Sequence, residues 1–468
     1  MRLTLLTTDV FMLGLLVAGA IYAALAYRSA PLRATWRLVF QRPAGLASAI
    51  ILSLFVGIAL VDSVHIRLAI QTPEGQPQRY AEPMSLLDFA LKPLVEARER
   101  SYSAPLAIRG FRKESFERNG HPVRDFPPLK FGGRHLPHED AHVEDVRAKS
   151  LSALAQGLAA VLVMLVVSLS LATWQSGRSP RDVITTFLLG RTQWPWRTAF
   201  ITVSCVILVS FFVACLSRGY HVFGTDQTGV SILVIALKSI RTALVIGSLT
   251  TLVVLPIGVF LGVMAGALRG WVDEVIQYVY TLLASIPDVL LIAASVLLLQ
   301  AFIDANPQLF QTALERSDAR LLFLCIILGV TSFTGLCRLV RGEAMKLREL
   351  EYVQAARSAG VSTARILFHH ITPNLMHIVL ISVVMQFSGF ILAEAVLSYV
   401  GIGVDPKTAS FGILINSARS ELAASPVVWW TLTTAFVFML ALVLSANLLA
   451  DAIRDAFDPR TRLRSSAE

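Results

Sequence analysis

Long apolar runs alternate with short polar connections along this chain of 468 residues, and their lengths set the first expectation. About 20 predominantly apolar residues cross a bilayer. Runs near 8–27, 44–66, 150–172, 199–217, 237–267, 275–303, 320–340, 375–400 and 427–450 reach or approach that length. The pattern predicts an all-α polytopic membrane protein with nine transmembrane helices. Composition agrees: 55% of residues are hydrophobic, 16% are charged and the mean hydropathy is +0.64, more apolar surface than one soluble core can bury. The opening has a weak basic region and no small-residue cleavage pattern before Arg28, so it reads as a retained helix and not as a cleaved signal peptide.

Charge orients the nine spans. Arg28, Arg33, Arg37 and Arg42 fall in one connection, and Arg178, Arg181, Arg191 and Arg197 in another. Arg341, Lys346, Arg348, Arg357 and Arg365 occupy a third, and Arg454, Arg460, Arg462 and Arg464 the end of the chain. In a nine-span chain all four lie on one side, which the positive-inside tendency makes the cytoplasm. The N-terminus is then expected in the periplasm and the C-terminus in the cytoplasm of a bacterial inner membrane. The formal charge of +9 reads as this inner-face bias toward anionic lipid. Nucleic acid is excluded as a partner, because no soluble basic domain with interleaved aromatics is present. Cys205, Cys215, Cys325 and Cys337 lie within or at the ends of apolar runs, where they read as small packing residues and give no disulfide or metal framework.

The connection from Arg338 to Asn374 is a polar, arginine-rich island between two spans. It opens on Glu349 and Glu351, continues through the helix-favouring Gln354-Ala355-Ala356-Arg357, breaks at Gly360, resumes at Ile366-Leu367-Phe368 and stops at Pro373. That order predicts helix, turn, helix. The alanine pair leaves room for a partner's side chains, Gly360 permits a left-handed turn, and Pro373 ends the helix it follows. A plain solvated loop would account for the charges but not for this order.

Tyr352-Val353-Gln354-Ala355-Ala356-Arg357-Ser358-Ala359-Gly360, Arg365-Ile366 and His370-Ile371-Thr372-Pro373-Asn374 together resemble the "EAA" coupling loop of ABC importer permeases of the dipeptide/oligopeptide/nickel class. Three further segments resemble that family in the same order: Gly224-Thr225-Asp226-Gln227-Thr228-Gly229, the stretch Ala393-Glu394-Ala395-Val396-Leu397-Ser398-Tyr399-Val400-Gly401-Ile402-Gly403, and the tail from Asn447-Leu448-Leu449-Ala450-Asp451 to Asp458-Pro459-Arg460. The likeness covers the last half of the chain. Gln354 stands where the family's name-giving Glu would be, Thr372 replaces Leu before Pro-Asn, and Val230-Ser231 follow Gly229 where Arg-Asp is usual.

The resemblance implies a type I ABC importer permease core at 218–460 with a cytoplasmic coupling loop at 341–374. It assigns ATPase coupling to Tyr352, Gln354, Ala355, Ala356, Arg357, Gly360, Ile366, Pro373 and Asn374. Around that core the chain divides into a transmembrane pair at 1–66, a polar periplasmic insert at 67–149, an additional transmembrane pair at 150–217 and a cytoplasmic tail at 461–468. Family permeases also carry an amphipathic elbow at the inner surface before a span. Two segments combining Trp with Arg fit it, Ala34–Pro43 and Gly190–Arg197.

The insert is too long for a connector. It starts with a linker rich in Pro, Gly and Gln, continues through a predicted helix at Ser85–Arg100, and is irregular around Pro122, Pro127 and Pro128. Within it His138-Glu139-Asp140-Ala141-His142 reads H-E-x-x-H, which on a helix would set two imidazoles toward a zinc ion. Polar neighbours and the lack of a third ligand weigh against it, so no metal site is assigned.

No G-x-x-x-x-G-K-[ST] phosphate loop occurs, so no catalytic residue is assigned and ATP hydrolysis is expected in partner subunits, with their ATP and Mg and no cofactor in this chain. Glu394, in an apolar run, reads as a structural hydrogen-bonding group ahead of a solute contact. Asp288, after Pro287, faces either the pathway or a helix-start donor, and Asp226 belongs to the same pathway-or-structural class. The expected assembly is a heterodimer with a sister permease, two ABC ATPase subunits and a periplasmic solute-binding protein, carrying peptides or peptide-like solutes. Nickel chelates and glycosides travel through similar permeases. The rival class is an ion-driven secondary transporter using Asp288 and Glu394 as coupling acids; a membrane-anchored periplasmic metalloprotein is a third.

Overall fold

The structure is a computed structural model that describes residues 2–4, 6–67, 83–118, 121–177, 179–190, 193–309 and 312–457. The Pro/Gly/Gln linker, Arg178, Arg191 and the Asp458-Pro459-Arg460 tail fall outside them. In chain order the elements are β1 (Arg2–Thr4), α1 (Thr7–Arg28), α2 (Ala30–Gln41), α3 (Pro43–Asp62), β2 (His65–Arg67), β3 (Met84–Ser85), α4 (Leu86–Ala90), α5 (Lys92–Glu96), β4 (Glu114–Arg118), β5 (His121–Asp125), α6 (His142–Ser176), α7 (Pro180–Leu188), α8 (Trp196–Leu216) and α9 (Ile232–Leu268). Then follow α10 (Trp271–Ser285), α11 (Asp288–Ala305), α12 (Ala313–Arg348), α13 (Glu351–Ser358), α14 (Thr363–Ile366), α15 (Thr372–Val400), α16 (Phe411–Leu422) and α17 (Trp430–Phe457).

Among the described residues nine helices are long and apolar enough to cross a membrane, as the hydropathy pattern predicts. One boundary differs. The run at 275–303 is two helices, because Ile286 is extended at φ −90° and ψ 131° and Pro287 offers no N–H to continue the ladder. The crossing candidate is α11 alone, and α10 is a separate helix with Asp273 and Glu274 in its first turn.

The chain forms two compact units. The first holds residues 1–4, 36–241 and 409–449. Here β1, β2 and β3 make a small antiparallel sheet, and α6 packs along α8, where Gly157 has no room for a Cβ without pressing Leu208 at 3.0 Å. The Ser85–Arg100 helix is shorter than predicted. Pro93 lies in the first turn of α5, separating it from α4, and after Glu96 the chain extends to bury Glu99. The irregular stretch at Pro122 is half of a hairpin, β4 with β5, paired from Glu114 with Asp125 to Arg118 with His121. Asn119-Gly120 between these strands is the usual two-residue hairpin signal in a sequence.

The second unit holds residues 5–35, 242–408 and 450–468. Its backbone is the crossing of α9 and α12. Gly258, Gly262 and Gly266 recur every fourth residue on α9, and an added Cβ would meet Leu336 at 2.9 Å, Val340 at 2.7 Å and Ala344 at 2.6 Å. A small-xxx-small face of this kind lets membrane helices approach until their backbones touch. α1 joins the unit at its first turn: Asp318 of α12 accepts from Thr7 Oγ1 at 2.5 Å, from the Thr8 amide at 3.1 Å and from Thr8 Oγ1. The donors at a helix start satisfy a carboxylate that would be costly if buried alone.

Candidate coupling surface

α12 is 36 residues long, about 54 Å at 1.5 Å per residue, longer than a ~30 Å hydrocarbon layer requires, and its last turns carry Arg341, Glu343, Lys346 and Arg348. Those turns are bolted to neighbouring helices by their arginines. Arg341 grips Asp273 of α10 through two bonds of 2.6 and 2.8 Å, and these hold the Asp273 carboxyl below its ordinary pKa. Arg348 is buried, donates to the Gly266 carbonyl at 3.0 Å and reaches Glu349 at 3.0 Å. Glu349 also takes Arg269 at 2.8 Å. Paired arginines thus fix the platform from which α13 leaves.

α13 is amphipathic. Val353 is buried in a cluster with Ile366, Ile371 and Leu375, while Glu351, Tyr352, Ala355, Arg357 and Ser358 face outward. Gly360 ends the helix at φ +78°, the left-handed region, and Val361 N–H bonds back to the Ala356 carbonyl at 3.1 Å. The predicted helix, turn, helix is present, with three refinements. The alanine pair divides: Ala355 is exposed, but Ala356 packs against the chain's own cluster. Pro373 does not stop a helix; a π-helical turn at Leu367–Ile371 leads from α14 into α15, and Pro373 is the second residue of α15. Gln354 donates its side-chain N–H to the Arg348 carbonyl at 3.1 Å, a bond that a carboxylate at this position could not make. Tyr352 accepts at its hydroxyl from Asn374 Nδ2 at 2.8 Å, tying the start of α13 to α15. Arg365 is exposed on α14. Phe368 is 66% exposed on the π turn, and in the sequence it stands only as part of an amphipathic stretch.

A second organised site lies in the first unit, around Gly224–Gly229. Thr225 Oγ1 accepts from the Ser103 amide at 2.6 Å and donates to the Ser101 carbonyl at 3.0 Å, while its own carbonyl takes Trp430 Nε1 at 3.1 Å. Asp226 closes the turn by accepting from the amides of Thr228 at 2.9 Å and Val230 at 2.8 Å. Glu99 is buried and takes the amide N–H groups of Lys130, Phe131 and Gly132 at 2.7, 2.9 and 3.2 Å. Burial raises its pKa, but the His221 side chain at 3.4 Å and these three donors outweigh that and set it to about 2. Because the folded pKa lies below the ordinary 4.5, this contribution to stability is complete above about pH 4.5 and is lost as pH falls toward 2. The insert is therefore stitched to the family-like loop by its backbone.

Glu394, buried in α15, accepts from Ser398 Oγ at 2.6 Å. The chain folds back beyond Gly401 so closely that a Cβ on Gly403 would strike Ser398 Oγ at 1.9 Å. Asp288 stands exposed at the first position of α11 with no hydrogen-bond partner among the described residues. The H-E-x-x-H segment does not form a zinc helix. His138 precedes a 3₁₀ turn, His142 begins α6 and touches the Leu106 carbonyl at 2.8 Å, and Glu139 pairs with Arg109 at 2.6 Å. Of the two elbow segments, Ala34–Gln41 lies on the amphipathic α2, whereas the chain before Trp196 shows no helix over its described residues 189–195. Arg37 bonds Gln193 Oε1 at 2.7 Å and sits over the Trp194 ring at 5.9 Å, so the two segments meet.

Residues 258–463 match the family described as binding-protein-dependent transport system inner membrane component. Over 242 residues, 52% of this chain and 77% of the relative, it is 33% identical to the oligopeptide transport system permease protein OppC of Mycobacterium bovis. The dipeptide transport system permease protein DppC of Lactococcus lactis is 30% identical over 240 residues, 51% of this chain and 64% of that protein. The glutathione transport system permease protein GsiD of Pectobacterium atrosepticum is 31% identical over 242 residues, 52% and 72% of the two chains.

Proposed function

The chain belongs to the family of binding-protein-dependent transport system inner membrane components, and on that premise we propose that it is the permease subunit of an ATP-driven importer of peptides or peptide-like solutes. The single observation that carries the reading is the exposed face of α13 and the π turn, with Ala355, Ser358 and Phe368 outward on a platform locked by Arg341 and Arg348. A small-residue helix with one aromatic beside it suits a groove on a partner, and the rigid platform passes a push on it to α9, α10 and α12. The proposed partners are two ATPase subunits that bind ATP and Mg, a sister permease across the pathway, and a solute-binding protein outside. The relatives are named for oligopeptides, dipeptides and glutathione, all peptides, which supports that solute class.

In this mechanism ATP binding closes the ATPase pair, the docked helices move together, and the permease passes from inward- to outward-facing by population shift. The orientation proposed puts the coupling segment in the cytoplasm and residues 83–141 outside. Reporter domains fused after Gly110 should then read periplasmic and those after Gly360 cytoplasmic; a cytoplasmic signal at Gly110 would overturn it. The function itself is tested by accumulation of labelled peptide in sealed vesicles that carry the assembled complex, with ATP as the sole energy source.

A further inference from the structure

We propose that the seam between α3 and α8 is a binding groove for one acyl chain of a membrane phospholipid, which completes the packing of these two helices. α8 packs against α3 within the first unit, but the contact leaves a groove of about 540 Å³. It runs from Ile50 to Val61 on α3, with Val203 and Val206 of α8 as its other wall and Leu87 of α4 at the end beside the insert. Both walls are helices long and apolar enough to cross a membrane, so the gap opens onto hydrocarbon. Leu54 and Val61 remain exposed along it.

The length of the groove selects its occupant. From Ile50 to Val61 the helix axis advances about 16 Å at 1.5 Å per residue, close to the ~15 Å that one leaflet contributes to a ~30 Å hydrocarbon core. α3 is 20 residues long, so the groove occupies the half nearer the insert, which in the orientation proposed above is the outer leaflet. Water has nothing to hold it there. Ser53 is the polar side chain of the described lining, and it returns its hydroxyl to the Ile50 carbonyl at 2.7 Å, whereas an enclosed water needs two to four polar partners. An empty gap would forfeit the dispersion contacts of both walls. A flexible apolar chain restores them, and Gly57 leaves it room: no atom lies within 4 Å of a Cβ built there. The groove lies outside the residues 258–463 that match the family.

The test places the full chain, with its co-purifying subunits, in nanodiscs doped with phosphatidylethanolamine that carries a photoreactive diazirine in one acyl chain. Labelled residues are then mapped by mass spectrometry of peptides. Wild type should be labelled at 50–61 and 203–206, and that label should outlast a brief chase with unlabelled lipid that clears the exposed Val17 and Ile21 of α1. Gly57→Phe should carry about tenfold less label in the groove, because the ring takes the volume the chain would fill. Gly19→Phe adds the same bulk to α1 at an equally open position and should match wild type. Groove label that exchanges as fast as label on α1 means bulk lipid only and overturns the proposal, whether or not the Gly57 variant folds. So does label that Gly57→Phe leaves unchanged, or label present on the isolated chain and absent from the complex, which would assign the groove to a neighbouring subunit. Neither readout involves transport, so the result stands apart from the permease reading.

Discussion

Replacing Gly229 with Ala should prevent recovery of a stable protein, whereas Gly335→Ala should pass unnoticed. Gly229 sits at φ +76°, and an added Cβ would fall 2.0 Å from the Glu99 carbonyl oxygen and 2.5 Å from its carbon. Both obstacles are backbone, which cannot swing aside as a side-chain tip can. Accommodation requires breaking the Glu99 N–H bond to the Gly229 carbonyl, which also unseats the carboxylate from its three amide donors. Left-handed strain of about 1–3 kcal/mol and lost hydrogen bonds of about 1 kcal/mol each are enough to reduce abundance several-fold. Gly335 has an ordinary φ and nothing within 4 Å of its virtual Cβ, so it controls for the substitution alone. Yield and thermal inactivation of the purified chain report the difference. Equal values for the two variants would mean that the insert is not held through this loop.

Gly360→Val should abolish solute uptake while leaving membrane insertion intact. No atom lies within 4 Å of a Cβ at Gly360, so the cost is backbone strain at φ +78° alone, about 1–3 kcal/mol. Gly360→Asn should therefore recover most activity, since Asn tolerates the left-handed region far better than a β-branched residue. Ala355→Asp is the companion probe. Ala355 is exposed, so a carboxylate there leaves the fold alone and should instead release the ATPase subunits on purification, whereas Ala356→Asp would disturb the chain's own core. Normal uptake by Gly360→Val and Ala355→Asp together would remove α13 from the coupling path. Uptake lost equally in the Val and Asn variants would mean that backbone strain is not the cause.

The spans were legible because length and hydropathy suffice to detect a membrane helix, and the coupling segment because Gly360 and Pro373 punctuate it. The function of that punctuation was less legible. Pro373 reads as a stop in sequence, but a π turn upstream lets it open α15 instead. Asp318 meeting Thr8 across 310 positions and Glu99 meeting residues 130–132 are products of folding that no local period announces. Gly258, Gly262 and Gly266 were visible as a four-residue repeat; they hid inside a run read only for its hydropathy. The hairpin at 114–125 was likewise signalled by Asn119-Gly120 and overlooked beside three prolines.

The central claim is that movement of solute through this chain is driven by ATP through the coupling surface. Its most direct measurement is the accumulation of labelled peptide in sealed vesicles containing the complete complex and binding protein, with proton and sodium gradients collapsed by ionophores. The account predicts ATP-dependent accumulation that ionophores leave unchanged, that a non-hydrolysable ATP analogue cannot support, and that Gly360→Val abolishes. Accumulation without ATP that follows an imposed ion gradient, and disappears on Asp288→Asn, would contradict it and make the chain an ion-coupled transporter.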